Sequence, residues 1–379
     1  MATPEILDFA RLLAPISDES PAGAELKEDS ALRAVYQAVK DARESARAAE
    51  KKIMSARTVG EEPPAERPDW KNVYERATET ISNHSKDLWI AAWLIESLAR
   101  LHGFAGLRDG FRLTRELVNQ YWDDIHPRPD EDGHATTVAQ LTGLNGDESE
   151  GALIDPIYRI PVTVAGDGAA LSIADHRSAV ELDKLDPDRQ AERLDRGAVS
   201  LQMFDASVRA TPAEFFRTLL EDLQQAIDEF FQLSEALDTR CGSSVAPPTS
   251  AIRGALADVR DQVQTIAQSV LQSADAEAAV GGTGDATEGA SGGEGGETAG
   301  ATSGKGMNRE VAFRQLLQVA DFFSRTEPHS PVSYALRQAV RWGKMTLPEF
   351  LSELISDSGV RDDLFRRVGM PQPSEEESD

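Results

Sequence analysis

Apolar side chains recur every three or four positions along most of this chain, a spacing that belongs to amphipathic helices rather than strands. The pattern predicts helices over about 30–54, 70–82, 86–101 and 106–122. Two longer helices follow. In the first, Phe216, Leu220, Leu223, Ile227 and Phe230 alternate spacings of four and three, a heptad seam that Thr211 opens as N-cap, with Pro212 at the first helical position and Glu214 completing a capping box. In the second, Ile252, Leu256, Val259, Val263, Ile266 and Val270 repeat the seam after a breaker containing Gly242, Pro247 and Pro248. The two helices are expected to form an antiparallel hairpin, each seam closed by its partner or by a larger interchain bundle.

One stretch breaks the helical period. Ile157, Tyr158, Ile160, Val162 and Val164 are strand formers, Gly166-Asp167-Gly168 is turn chemistry, and Leu171 and Ile173 resume the alternation. A small β-hairpin is expected there, with Pro161 restricting its strand to an edge. The fold class is therefore mainly α, a multidomain helical protein with one small hairpin.

Domain boundaries follow from composition. Residues 1–197 read as an N-terminal domain, 198–280 as a middle helical hairpin, 281–306 as a flexible Gly-rich linker, 307–371 as a small C-terminal helical bundle and 372–379 as an acidic tail. In the bundle, Asn308 can cap a helix whose Phe313, Leu316, Leu317, Ala320 and Phe323 share one face. Shorter helices are expected near Val332–Gly343, Leu347–Ile355 and Val360–Val368, with Ser330 capping the first and Thr346 and Glu349 forming a capping box for the second. So small a bundle has a marginal core, which makes self-association a natural stabiliser.

Charge narrows the function. Sixty-five acidic against 39 basic residues give a formal net charge of −26, a poor match for nucleic acid or an anionic membrane surface. Cys241 is the sole cysteine, so no intramolecular disulfide or thiolate metal cluster can form. Glu5 and Asp8 stand where a signal peptide needs basic and then unbroken apolar residues, and no apolar run approaches the roughly 20 residues that span a bilayer. A cytoplasmic location without direct membrane insertion is expected.

Enzymatic chemistry finds no foothold. Aligning Asp130-Glu131-Asp132-Gly133 with a calcium loop puts Arg128 and Ala139 where carboxylates are required. An ion site on Asp130, Asp132 and His134 gives way to a solvated acidic turn. His126 and His134 lack the spacing and companions of a zinc site, and Gly103, Gly106 and Gly110 lie in a helical pattern, where close packing or a tight turn explains them better than a dinucleotide fingerprint. His329 and Ser330 sit between Pro328 and Pro331 on a stiff connector that does not bring base and nucleophile together. No catalytic residue, cofactor or metal is expected. Trp70, Trp89, Trp93 and Trp122 are expected to pack the N-terminal core.

Two regions carry a family resemblance. Leu12-Leu13-Ala14-Pro15-Ile16-Ser17, Ser20-Pro21-Ala22-Gly23, Asp69-Trp70, Ser85-Lys86-Asp87-Leu88, Trp93-Leu94, Gly103-Phe104-Ala105-Gly106-Leu107 and Tyr121-Trp122-Asp123-Asp124-Ile125-His126-Pro127 resemble, in order, the ImpA N-terminal domain of the TssA proteins of bacterial type VI secretion. Glu327-Pro328-His329-Ser330-Pro331-Val332 and Ala339-Val340-Arg341-Trp342 resemble the C-terminal domain of the shorter TssA type. The resemblance implies a ring-shaped homo-oligomer closed by the C-terminal domain. It also implies partners among baseplate, tube and sheath proteins, with the membrane complex a further candidate, and a role in priming tail polymerisation. Glu327, His329, Arg341 and Trp342 are then the candidate interaction residues. A cytoplasmic chaperone or adaptor for secretion components or effectors is the alternative role.

Overall fold

The computed structural model describes residues 2–281 apart from 60, 63, 132, 148 and 165–168, and beyond them 313, 316, 317, 320, 321, 324, 331–345 and 351. The chain divides into two compact units, Met1–Thr287 and Glu288–Asp379. The expected linker, the helices near 347–355 and 360–368 with their capping box, and the acidic tail lie outside the described residues, save for the end of α11 at Gly281 and residue 351.

The first unit is built from α1 (Phe9–Leu12), α2 (Arg33–Val59), α3 (Trp70–Asn83), α4 (Leu88–Tyr121), α5 (His134–Asn145), α6 (Ile154–Arg159), α7 (Ile173–Asp183), α8 (Pro187–Asp195), α9 (Leu201–Ala210), α10 (Ala213–Cys241) and α11 (Ser250–Gly281). The fold is mainly α. At its centre α4 breaks at Gly103, whose φ of 58° and ψ of −135° are open to glycine but strained for other residues. The two limbs then run back along each other. A Cβ on Gly106 would lie 2.3 Å from the Leu98 carbonyl oxygen, and one on Gly110 would meet Ile95 Cγ1 at 3.0 Å, so these glycines let the limbs close. Trp70, Trp93 and Trp122 are buried as expected, while Trp89 is half-buried.

α10 and α11 pair as the seams predict, but α10 also lies along α4, with Phe111 and Phe230 rings 4.9 Å apart and Arg115 Nε 2.9 Å from Glu229 Oε2. The heptad reading saw one row of α10. Leu219, Ala226 and Leu233 add a second buried row, so the helix has a face wide enough for two neighbours. Residues either side of 197 therefore share one hydrophobic core.

Two local expectations fail. Thr211 does not cap α10: its hydroxyl donates to the Ser207 carbonyl at 2.8 Å and accepts from the Val164 amide at 3.1 Å, and α10 starts after Pro212 with no side-chain cap. The β-hairpin is reduced to an isolated antiparallel bridge between Pro161 and Ser172, with the Val162 amide donating to the Leu171 carbonyl at 2.8 Å. Ile157 and Tyr158 belong to α6, where Ile157 is buried and the Tyr158 hydroxyl reaches Asp258 of α11 at 3.0 Å. Tertiary burial overrode their strand propensity. The expected turn, 166–168, lies outside the described residues.

In the second unit, residues 313, 316, 317, 320, 321 and 324 are helical and share the spacing of one face. They are followed by α12 (Val332–Lys344), which begins after Pro331 with no side-chain cap. Ala320 and Val340 are buried, and Arg337 pairs with Asp321. A Cβ on Gly343 would lie 2.5 Å from Phe313 Cζ, so that glycine admits the phenylalanine ring against α12.

Candidate functional site

The blocks that carry the N-terminal resemblance are far apart in sequence and meet in space. Extended backbone at Ser85–Asp87 sits between two others: Gly23 pairs antiparallel with Ser85, and His126 pairs in parallel with Asp87. The Lys86 amide donates to the Ala22 carbonyl at 2.8 Å, while the His126 amide donates to the Lys86 carbonyl at 3.0 Å and the Leu88 amide to the His126 carbonyl at 2.8 Å. Gly23 has a φ of 79°, and a Cβ there would fall 2.1 Å from the His84 carbonyl oxygen. Only glycine permits that approach.

Charged side chains then lock the rungs. Lys86, fully enclosed, donates through Nζ to the carbonyls of Leu12 and Ile81, each at 2.8 Å. Burial pulls its ammonium down to about 8. Asp87 accepts from the Trp89 amide at 2.7 Å and the Ile90 amide at 3.1 Å, capping α4. Burial pushes its carboxyl up to about 6 against the pull of those amides. His126 has Glu25 Oε2 3.1 Å from Nδ1 and the Gly23 carbonyl 3.2 Å from Nε2, so both ring nitrogens face oxygen acceptors. A neutral imidazole can donate to only one of them; the imidazolium satisfies both. Burial raises Glu25, but the hydrogen bonds from His126 and from the Arg128 amide outweigh it and leave that carboxyl below its usual range.

The outer wall is aromatic. Lys27 Nζ lies 3.2 Å above the Trp89 ring centre and 5.3 Å from that of Tyr36, and Trp89 Nε1 donates to the Thr136 carbonyl at 2.9 Å. Burial, reinforced by the Asp87 charge, raises the Tyr36 hydroxyl to about 12.

A buried lysine with a lowered pKa can serve as a nucleophile when a substrate reaches it. Here Nζ is turned inward onto two carbonyls and Lys86 has no exposed surface. The arrangement acts as a clasp that ties the entry segment, the start of α4 and the turn after it into one rigid corner.

The other expected sites are scattered. Asp130 Oδ2 accepts from the Thr136 hydroxyl at 2.6 Å, His134 stacks on Trp122 with ring centres 4.8 Å apart, and Asp132 lies outside the described residues. Among the described residues no group of three His, Cys, Asp or Glu side chains could hold a metal ion. Of the candidate interaction residues, Glu327 and His329 fall outside the described residues. Arg341 is exposed on α12, and Trp342 beside it is half-buried. The sequence blocks hold Lys86 and Asp87 together and His126 apart from them, and Glu25 and Lys27 stand outside every block. The signal available was three short segments, two of them bounded by Gly or Pro, each holding a charged residue beside apolar ones.

The sequence model of the family described as ImpA, N-terminal, type VI secretion system matches residues 13–146, the span that contains the clasp. The type VI secretion system component TssA1 of Pseudomonas aeruginosa is 28% identical over 357 residues, covering 93% of this chain and 96% of that protein. The solved N-terminal domain of the TssA component from Burkholderia cenocepacia, which includes the ImpA N-terminal region, superposes with a TM-score of 0.58 at 27% identity, covering 71% of this chain and 96% of that one. No helix among the described residues is long and apolar enough to cross a membrane. With the clasp lying inside the matched ImpA segment and the likeness to TssA1 running nearly end to end, the comparisons support a TssA protein of the type VI secretion system.

Proposed function

We propose that this chain is a non-enzymatic, cytoplasmic assembly subunit of the type VI machine that closes a ring through residues 307–371 and primes polymerisation of tube and sheath at the baseplate. The observation that carries the reading is the span of the match to TssA1: it runs over 93% of the chain, past the N-terminal domain. The small second unit also suits a ring-former. On α12, Tyr334 is 70% exposed and Arg341, two helical turns further on, is exposed on the same side. An aromatic ring and a guanidinium on one face of a small bundle are residue types that dominate interfaces. A ring would set many copies of the acidic first unit side by side, so that weak contacts to tail proteins add through avidity.

Deletion of Met307–Asp379 tests the division of labour. Light scattering on the full chain should report a multi-subunit assembly, and on the truncated chain a folded but much smaller one. An assembly unchanged by the deletion rejects ring closure by the C-terminal bundle. Stable co-purification of the full chain with sheath and baseplate proteins is the expected partner result; capture of an effector alone, with no tail protein, rejects the priming role.

A further inference from the structure

α10 and α11 are closely packed along their seams, but on their outer side, where α10 nears its end and α11 begins, they leave an open groove of about 930 Å³. Ile227, Phe230 and Leu256 give it an apolar lining. Phe231 belongs to the same groove and is 50% exposed, whereas its neighbour Phe230 is buried. Gly254 keeps the opposite wall low, since a Cβ there would meet nothing within 4 Å. The groove thus holds a knob and a vacant hole next to each other.

Its charges are also paired in kind. Asp228 on α10 accepts a hydrogen bond from Gln224 Nε2 at 2.9 Å and meets no cation among the described residues. Arg253 on α11 is exposed and meets no carboxylate among the described residues. In a chain of net charge −26, a guanidinium left without a partner on an apolar rim is out of keeping with the surface around it.

We propose that this groove is an interface between two copies of the chain related by a two-fold axis, with Phe231 of each copy seated in the groove of the other above Gly254, and Asp228 of each facing Arg253 of the other. In a two-fold contact, if residue i meets j then j meets i, so the surface must complement itself. A patch carrying both knob and hole, and one charge of each sign, meets that requirement. A basic partner would be served by an acidic rim, and Arg253 spoils it. A partner helix of acidic character would be repelled by Asp228. The contact uses only Met1–Thr287 and stands independently of ring closure by the second unit.

The test uses residues 1–281, which hold their own core and correspond to a domain solved alone from the Burkholderia cenocepacia relative. Light scattering at tens of micromolar should give twice the monomer mass. Phe231→Glu should halve it. Asp228→Arg and Arg253→Asp should each be monomeric alone, yet a one-to-one mixture of the two should recover the doubled mass, because the reversed charges match across the pair. Circular dichroism and melting temperature equal to the parent's establish that the variants are folded. A fragment that remains monomeric at hundreds of micromolar, or a dimer that survives Phe231→Glu and both reversals, overturns the proposal. Because the fragment lacks residues 307–379, neither result bears on the ring.

Discussion

Glu96 is completely enclosed in α4, and the guanidinium of Arg43 from α2 meets it, Nη2 to Oε1 at 2.6 Å. Among the described residues its other oxygen accepts no hydrogen bond, with Arg47 Nε 4.0 Å away. Arg43 also lies 5.5 Å from the Trp93 ring centre, so one side chain both neutralises the buried carboxylate and covers an indole. Removing one member of such a pair strands the other. Arg43→Met is expected to lower stability by about 3–5 kcal/mol, and adding Glu96→Leu to recover most of the loss. Urea denaturation of the two variants checks this; equal losses in the single and double variants would contradict it.

Asp87 should make stability fall as pH rises. Its folded carboxyl, pushed up to about 6 chiefly by burial, holds its proton more tightly than in the unfolded chain, where the ordinary value is 3.8. The stabilisation is therefore fully present below the ordinary value and is lost as pH rises through about 6. Asn at this position keeps a side-chain oxygen for the cap and carries no charge. Asp87→Asn should gain melting temperature over the parent on going from about pH 4 to about pH 7, and a constant difference would refute the assignment. Glu25 runs the other way: its lowered carboxyl gives stability present above its ordinary 4.5 and lost as pH falls through the folded value.

Lys86→Met should cost far more than a surface lysine. Both carbonyls that Nζ serves, Leu12 and Ile81, would lose their donor in a site closed to water. Each of the two unsatisfied buried groups costs about 1–3 kcal/mol, so a loss of about 2–6 kcal/mol is expected by chemical denaturation. A change near zero would mean the corner opens to water and the clasp is not rigid.

Two glycines give opposite outcomes. Gly106→Ala drives a methyl to 2.3 Å from the Leu98 carbonyl oxygen and should destabilise by about 1–3 kcal/mol. Gly143 lies in α5, where an added methyl would meet nothing within 4 Å, so Gly143→Ala should stabilise by about 0.5–1 kcal/mol through helix propensity. Thermal melts of the pair separate close packing from propensity.

The long amphipathic elements were legible because periodicity reports directly on which face is buried. The Gly103 break was legible too, as the gap between two expected helices. What escaped depended on neighbours. Leu219, Ala226 and Leu233 lie next to a seam already sufficient for a hairpin, and nothing local says that α4 will cover them. Ile157 and Tyr158 carry strand propensity, yet one is drawn into the core and the other towards Asp258. Thr211 matches a capping box in sequence, but the Ser207 carbonyl and Val164 amide take its hydroxyl. The clasp was half legible: its segments stood out as blocks, whereas their convergence rests on rungs joining residues such as Gly23, Ser85 and His126, which no short-range pattern encodes.

The amide and hydroxyl of Thr3 both bond to the carboxylate of Asp222, across 219 positions of sequence, and Arg108 donates to the Thr3 carbonyl from between them. At about 5–20 residues per second, the ribosome needs roughly 11 to 44 seconds to extend from one to the other. For that interval Thr3 lacks its Asp222 partner, and the α4 surface that α10 will cover stands open. Maturation of the first unit thus waits on α10, and a chain truncated before α10 would leave the ribosome with apolar surface showing.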